Sequence, residues 1–595
     1  MRRVEAVATE PRGAIAGRRT ARDGIQDLPR VGDREPAPGR GGRHPHIVHV
    51  QDRRSTRGRH RDILDHPRTR NAGRIGVSLI LSERARASLA CLLVALVAAA
   101  CRSDSPTAPI APTPPPTLVV PALPREFRGM WIATVANIDW PSRTGLTVSA
   151  QQLELQSILD LAQSTGLNAV VLQVRAAGDA LFPSSLEPWA RSLTGTQGTD
   201  PGWDPLAFAV TQAHARGLEL HAWFNPFRAG NLRDSTRMAA SHFAKRRPDL
   251  ARNYCTQLWF DPGEEDVHNQ AIDVVQDVVR RYAVDAVHLD DFFYPYPDSR
   301  CPSLDFPDSA AYARYRSGGG VLLTDDWRRD NVNRFVERLS RQVHALAPTV
   351  RVGISPFGIW RPGSPPGIVG LDAFASIYAD SRQWLQRGWV DYLSPQLYWS
   401  IASTGQSFQS LVDWWTLQNT QRRHLWPGLA AYRVADGSTS AYAASEIASQ
   451  ISFTRVRGSI TGGPTGTVLY NTTALRLNRG GLATLLGDGV FATAALVPAT
   501  PWLDPLLPTA PTVAVAALAG QPQLRVTIGG DGGKVLAWWA VRWRNGTTWS
   551  LRTVPATQRV VDVAATVGTA TTDAIVVHAV DRVGNASGGA VWRAP

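Results

Sequence analysis

From Arg128 to about Leu486 the chain alternates short apolar runs with stretches whose apolar residues recur every three or four positions. The runs at 128–135, 169–175, 218–226, 286–293, 351–357, 390–399, 425–432 and 466–472 predict strands. The stretches near 150–164, 205–216, 266–282, 328–346, 380–388, 408–419, 441–455 and 479–486 predict helices between them. Eight β–α repeats predict an α/β fold, a (β/α)8 TIM barrel with long loops, the longest after strands 2, 3 and 4. An open doubly wound sheet is the competing arrangement, but it carries a Gly-rich phosphate turn after its first strand, and no GxGxxG follows 128–135. From about Thr509 the character changes to short β-rich runs such as LRVTI, AWWAVRW and DAIVVHAV, separated by Gly, Asn and Thr turns. That pattern predicts a small all-β sandwich over 509–595.

The fourth strand carries the chemistry. In AVHLDDFFYP (286–295) an apolar run meets two adjacent carboxylates, Asp290 and Asp291, and then a cluster of rings. Carboxylates at the carboxyl end of a buried parallel strand sit where barrel enzymes keep their active sites. Aromatic faces beside acids suit a sugar, whose C–H faces stack on rings while acids act on the glycosidic oxygen. An isolated Asp-Asp pair is more often a solvated turn, so strand parity has to decide. Val287 and Leu289 share one face of strand 4, and His288 and Asp290 share the other. Strand 3 repeats the pattern, with Leu218, Leu220 and Ala222 opposed by Glu219, His221, Trp223 and Asn225. Gln173 and Arg175 on strand 2, and Ser394, Gln396 and Tyr398 on strand 6, are polar in the same way. One such strand is a hydrogen-bonded core; four predict a site inside the barrel.

Charge and cysteine content add a compartment. The net charge of +13 is concentrated at the N-terminus, where residues 1–75 hold 18 Arg against 9 Asp and Glu. No Phe, Tyr or Trp occurs before Phe127, so this arm offers nothing on which bases stack, and no nucleic-acid partner is implied. Residues 1–83 are expected to be a disordered basic segment or a region upstream of the true start. Arg84 and Arg86 then precede a short apolar run that ends in Ala98-Ala99-Ala100-Cys101, the layout of a secretory signal over 84–100 with a lipobox. Cys101 is accordingly the expected lipidation site, and residues 101–124 a Pro/Ser/Thr-rich linker tethering the chain to a membrane outside the cytoplasm, in the cell envelope. Cys255 and Cys301 remain; in an oxidising compartment they can pair, with two free thiols the alternative.

Residues 126–475 resemble the glycosyl hydrolase-like 10 family of bacterial lipoproteins. The matching stretches are EFRGMWIATVANIDWP (126–141), QVRAAGDALFPSS (173–185), ELHAWFNPFR (219–228), WFDPG (259–263) and VDAVHLDDFFYP (284–295). They continue with VGISPFGIWR (352–361), YADSRQWLQRGWVDYLSPQLYW (378–399) and WPGLAAYR (426–433), in order along the whole barrel, expected over 125–505. The resemblance implies glycan hydrolysis, and in one branch of the family peptidoglycan strands stripped of their stem peptides. The long basic N-terminus departs from the family pattern, and the C-terminal region, which resembles a fibronectin type III-like module, is absent from many members.

A glycosidase of this kind needs one carboxyl held protonated and a second acting as nucleophile or base. Asp290 and Asp291 are the expected catalytic pair. As neighbours they point to opposite faces of a regular strand, so both reach a substrate only if the strand ends or bulges there. An adjacent pair after strand 4 also resembles hexosaminidases that use the substrate's own acetamido group as nucleophile. On positional grounds Asp291 is the expected general acid. Asp261, Asp139 and Asp179 are the alternative carboxylates. Arg175 is expected to orient an acid or bind a sugar hydroxyl, and Asn225, His288, Gln396 and Tyr398 to hydrogen-bond sugar or acid. Trp131, Tyr294, Trp360, Trp399 and Tyr432 are candidate stacking rings, against the ordinary reading that large rings fill the core. No cofactor is implied, and no metal site: His221 and His288 lie on different strands, and neither HxH nor HExxH occurs. The competing readings are a glycan-binding lipoprotein without turnover and a polysaccharide deacetylase, which would need metal ligands.

Overall fold

The computed structural model describes residues 118–595. The expected basic segment, the signal at 84–100, Cys101 and most of the linker lie outside the described residues.

Eight parallel strands form the centre: β1 (Phe127–Ile132), β2 (Ala169–Arg175), β3 (Glu219–Phe224), β4 (Ala286–Leu289), β5 (Arg351–Ile354), β6 (Tyr392–Leu393), β7 in two pieces (His424–Leu425 and Gly428–Leu429) and β8 (Gly466–Leu469). Each pairs with its neighbour in sequence from β1 to β6, and β1 also pairs with β8. The first piece of β7 pairs with β6 and the second with β8. Pro427 has no N–H to donate and divides β7, yet the ladder to β6 passes it. Trp426 N–H donates to the Leu393 carbonyl and Gly428 N–H to the Pro395 carbonyl, both at 2.9 Å. The parallel sheet therefore curls round on itself and resembles a TIM barrel.

Helices start where the chain supplies caps. Thr147 accepts from Ala150 N–H to open the helix Val148–Ser164, and Asp204 accepts from Ala207 N–H ahead of Pro205 to open Pro205–Ala215. The helix Glu265–Arg281 buries Val267, Ala271, Ile272, Val274, Val275 and Val278 against the sheet, and polar residues fill its other face. Leu220, Ala222, Phe224, Val287 and Leu289 meet these helices in the outer apolar layer. Phe127, Trp131, Val171, Trp223, Tyr392 and Trp426 fill the interior, as alternation along each strand requires. Gly353 and Gly428 leave room for two of these rings: a Cβ on either would collide with Tyr392 or Trp131.

Apart from β2, which spans 169–175 as expected, the observed strands are shorter than the apolar runs, most of all β6, because the ends of those runs turn away into the site loops. The run at 479–486 forms only one α-helical turn, Leu482–Leu485, between 3-10 and π turns. Two features of the long connections follow no apolar period and were not anticipated. After β3, Arg228–Asn231, Gln257–Phe260 and Ala251–Tyr254 make a small antiparallel sheet on the barrel rim. After β4 comes the helix Ser309–Ser317. Cys255 and Cys301 are disulfide-bonded, with Cα atoms 5.9 Å apart, and so tie this rim sheet to the loop that follows Asp290 and Asp291.

Residues 512–593 form a separate all-β region. The strands Thr512–Ala517, Gln523–Gly529 and Val560–Ala564 make one sheet; Thr548–Pro555, Leu536–Asn545, Ala570–Asp581 and Ala590–Arg593 belong to another. Val526, Ile528, Trp539, Val541, Ile575 and Val577 share their apolar core. This region rests on the end of the curled sheet where strands begin. Arg582 donates to the carbonyls of Ala283 and Val284, both 3.0 Å, and pairs with Asp285 at 3.1 Å, just ahead of β4. Trp538 and Trp539 are buried.

Candidate active site

β4 ends at Leu289, so Asp290 and Asp291 both lie beyond the last rung of the ladder. The condition for two adjacent residues to serve one site is met by the strand ending. The two carboxyls face different strands. Asp290 Oδ2 accepts from Trp223 Nε1 at 2.9 Å and from Asn225 Nδ2 at 3.2 Å, both on the β3 side. Asp291 Oδ2 accepts from the Tyr296 hydroxyl, and the Gln396 amide beyond β6, which donates to the Ser355 carbonyl at 2.9 Å, favours the charged form of this carboxylate. Both acids are buried, at 3% and 7% exposure.

Burial, joined by the charge of Asp291, pushes the Asp290 carboxyl up to about 7. Burial also raises Asp291, but the Tyr296 hydroxyl and Gln396 amide pull it back towards ionisation. The pair thus retains one proton near neutrality, and Asp291 is the member whose charge is better supported. Burial, joined by Asp139, Tyr432 and then the two carboxylates, raises the pKa of Tyr470, just past β8, and holds its phenol protonated. Tyr398 and Tyr432 pack around Tyr470, with ring centres 5.9 Å from it in both cases. These half-buried tyrosines wall the mouth beside the acids.

Below the acids the interior is a hydrogen-bonded stack. Trp131 Nε1 donates to His288 Nε2 at 3.1 Å, and His288 Nδ1 lies 3.0 Å from the Tyr392 hydroxyl. Burial, with His221 beside it, holds His288 well below its ordinary pKa, so the ring is neutral. His288 is a scaffold for the floor of the site, and Trp131, 2% exposed, is part of that floor rather than a sugar platform.

Several expectations are corrected by the packing. Arg175 is neither a sugar ligand nor a partner of the acids: its guanidinium is buried against Glu187, with Nε to Oε2 at 2.8 Å, and donates to the carbonyls of Asn225 and Pro226. It fixes the turn that aims Asn225 at Asp290. Tyr294 is buried edge-on against Phe306 and Tyr378, and Trp399 against Phe357, so both rings belong to the core. Trp360 bonds Asp380 through Nε1 at 3.0 Å and stacks near Trp414. Asp139 accepts from Ala133 N–H at 2.9 Å and the Thr473 hydroxyl at 2.8 Å, which ties the loop after β1 to that after β8. Asp261, pushed up to about 6 by burial, is held by Arg252 at 2.9 Å and by Gly263 N–H at 2.8 Å in the rim sheet. Asn225, Gln396, Tyr398 and Tyr432 do gather around the acids or the tyrosine wall.

Three residues of this neighbourhood escaped the sequence reading, and Trp223, found there at interior parity on β3, carried no role in it. Tyr470 lies at interior parity just past β8, so alternation could have found it. Tyr296 and Arg228 sit in loops, where no period says which way a side chain points. Arg228 lines a cleft of about 400 Å³ over the loops after β1, β2 and β3, together with Thr134, Ala177, Asp179 and Arg191. Among the described residues, no group of three or more His, Cys, Asp or Glu is placed to hold a metal ion.

The Glycosyl hydrolase-like 10 family matches residues 126–443, more than half of the chain, from β1 through both pieces of β7. This chain belongs to that family. Glycosyl hydrolase YngK of Bacillus subtilis (strain 168) is 39% identical over 395 residues, 65% of this chain and 76% of its own. Glycosyl hydrolase DigH of Escherichia coli (strain K12) is 35% identical over 371 residues, 58% of this chain and 82% of its own. Among solved structures, the PgaB (BpsB) glycoside hydrolase domain from Bordetella bronchiseptica is 14% identical, over 61% of this chain and 98% of that one. Its TM-score of 0.41 makes that likeness too loose to argue from. The glycosyl hydrolase-like 10 match ends at residue 443, ahead of β8, so of the tyrosine wall Tyr398 and Tyr432 lie within the matched segment and Tyr470 beyond it.

Proposed function

We propose that this protein is a glycoside hydrolase of the bacterial cell envelope that cleaves O-glycosidic bonds in an N-acetylated glycan, the strands of peptidoglycan. The observation that carries the reading is the Asp290–Asp291 pair: two buried carboxyls beyond the end of β4, retaining one proton near neutral pH. A glycosidase needs that combination of one acid and one carboxylate.

In the proposed reaction Asp290 is the general acid and gives its proton to the glycosidic oxygen as the bond to C1 breaks. Asp291, ionised and steadied by Tyr296, orients the substrate's acetamido group, whose oxygen attacks C1. Water then opens the cyclic intermediate, and its proton returns to Asp290. This exchanges the roles expected from strand position, where Asp291 was the donor. The exchange rests on the hydroxyl that Tyr296 supplies to Asp291, which favours the charged form there. The tyrosine wall of Tyr398, Tyr432 and Tyr470 provides sugar-facing rings.

The signal layout and Cys101 support a lipid anchor outside the cytoplasm, in the outer membrane or periplasm of a two-membrane cell. The all-β region, in this proposal a fibronectin type III-like module, serves as a rigid base, since it is bonded to the end opposite the acids. The test is mass spectrometry of products after incubating the purified mature protein with peptide-free peptidoglycan, intact peptidoglycan and chitin oligosaccharides. Release of reducing-end sugar fragments is expected; no cleavage of any of the three would refute the assignment.

A further inference from the structure

Tyr296, which donates its hydroxyl to Asp291, is carried on a segment with little framework of its own. Residues 294–298 belong to no helix or strand, and Pro295 and Pro297 on either side of the tyrosine have no N–H with which to bond to one. The ring packs against Phe292 and Phe357. The backbone is held from outside, at both ends, by one rim hairpin. Ahead of the tyrosine, Trp259 Nε1 donates to the Phe293 carbonyl at 2.9 Å. Beyond it the turn of the hairpin grips two neighbouring residues: Arg300 Nη2 donates to Thr256 Oγ1 at 2.9 Å, and Cys301 is bonded to Cys255.

The turn is built around that bond. Tyr254 pairs with Gln257 at the end of the hairpin, which leaves Cys255 and Thr256 as its two turn residues. Cys255 has a φ of 51°, in the left-handed region that glycine occupies at least cost. A side chain kept in that backbone conformation marks a position over-determined by its surroundings, and the covalent partner here is Cys301. The bond is also within reach of solvent. Both cysteines are half-buried, and Thr256, Arg300 and Pro302 beside them are exposed.

We propose that the Cys255–Cys301 bond is a redox-sensitive latch on the acid pair: closed, it positions Tyr296 on Asp291, and opened by a soluble dithiol, it releases the segment and withdraws the hydroxyl. A thiolate of the dithiol attacks one sulfur, the S–S bond breaks, and the other cysteine leaves as a thiol. The second thiol of the reductant then closes on the mixed disulfide and frees the first cysteine. The dithiol ends as its own disulfide, and its two electrons and two protons end on Cys255 and Cys301. The effect on catalysis rests on the hydrolase reading above; the release of the segment does not.

The experiment compares the purified mature protein, oxidised and reduced with dithiothreitol, by amide hydrogen exchange and by the pH profile of kcat/KM. The C255S/C301S variant serves as a permanently open form. On reduction, exchange across residues 292–304 should rise about tenfold or more, the response of a closed segment set free to open, with the cooperative melt retained. The Tyr296 hydroxyl favours the charged form of Asp291, so its withdrawal raises that pKa and moves the acid limb to higher pH. In Tyr296→Phe, where the hydroxyl is already gone, reduction should move the limb no further. Reoxidation should restore the wild-type profile. Unchanged exchange across 292–304, an acid limb that stays in place in the reduced wild type, an equal shift in reduced Tyr296→Phe, or loss of the whole fold on reduction would each overturn the proposal. Faster exchange on reduction in a protein that cleaves no glycan would keep the latch and overturn the hydrolase reading instead.

Discussion

Removing the Tyr296 hydroxyl tests how the acid pair divides its labour. In Tyr296→Phe the ring remains against Phe292 and Phe357, but Asp291 loses the phenolic donor to its Oδ2. A hydrogen bond to a buried charged group contributes about 1.5–3 kcal/mol. Its loss raises the Asp291 pKa, because the charged form loses that stabilisation. The active form has Asp291 ionised and Asp290 protonated. The rising acid limb of kcat/KM therefore reports Asp291, and the falling alkaline limb reports Asp290, whose carboxyl is pushed up to about 7. In the variant the acid limb should move to higher pH, narrowing the bell and lowering its maximum. The assay is initial release of reducing ends from peptide-free glycan between pH 4 and pH 9 (a span of about 5 units, enough to bracket both limbs), with a melt to verify folding. An acid limb that stays in place in a folded variant would refute the assignment of Asp291 as the ionised partner. Movement of the alkaline limb alone would return the donor's role to Asp291.

Three further outcomes follow from the same geometry. Asp290→Asn and Asp291→Asn should each reduce turnover by about 10²-fold or more without lowering the melting temperature, since a positioned acid or base contributes about that much; turnover within a few-fold of wild type in either would move the chemistry elsewhere. Arg175→Ala should destabilise the fold by about 3–5 kcal/mol in urea denaturation, because it strands Glu187 as a buried unpaired charge. A sugar-binding role for Arg175 would instead raise KM at unchanged stability. Cys101→Ser should shift the protein from the membrane fraction to the soluble fraction of a cell lysate, and continued membrane retention would count against the lipid anchor.

The order of strands and helices and the interior parity of Asn225, His288 and Asp290 were legible in the sequence; that β4 stops at Leu289 was not, since the apolar run continues to Phe293. Each legible feature follows from a local period: apolar alternation along a strand or recurrence along a helix, which burial of one face imposes whatever the partner. Arg175 shows where that logic stops. Parity marked it as a site residue, but the register shifts between Gln173 and Arg175, and the loop after β2, which brings Glu187 back onto it, decided that it braces a turn instead of meeting a ligand. Asp139 and Asp261 were acids of the right kind near the right strands, and their backbone and arginine partners come from segments far apart in sequence. Tyr294 and Tyr296 differ by two residues in an irregular loop; the first went into the core and the second onto Asp291, a choice set by packing against Phe306, Phe357 and Tyr378. The sequence by itself determined which residues face the inside of the curled sheet, because that depends on neighbours in the chain. The tertiary structure decided which of them meet each other, because a hydrogen bond or ion pair depends on positions brought together only when the sheet closes.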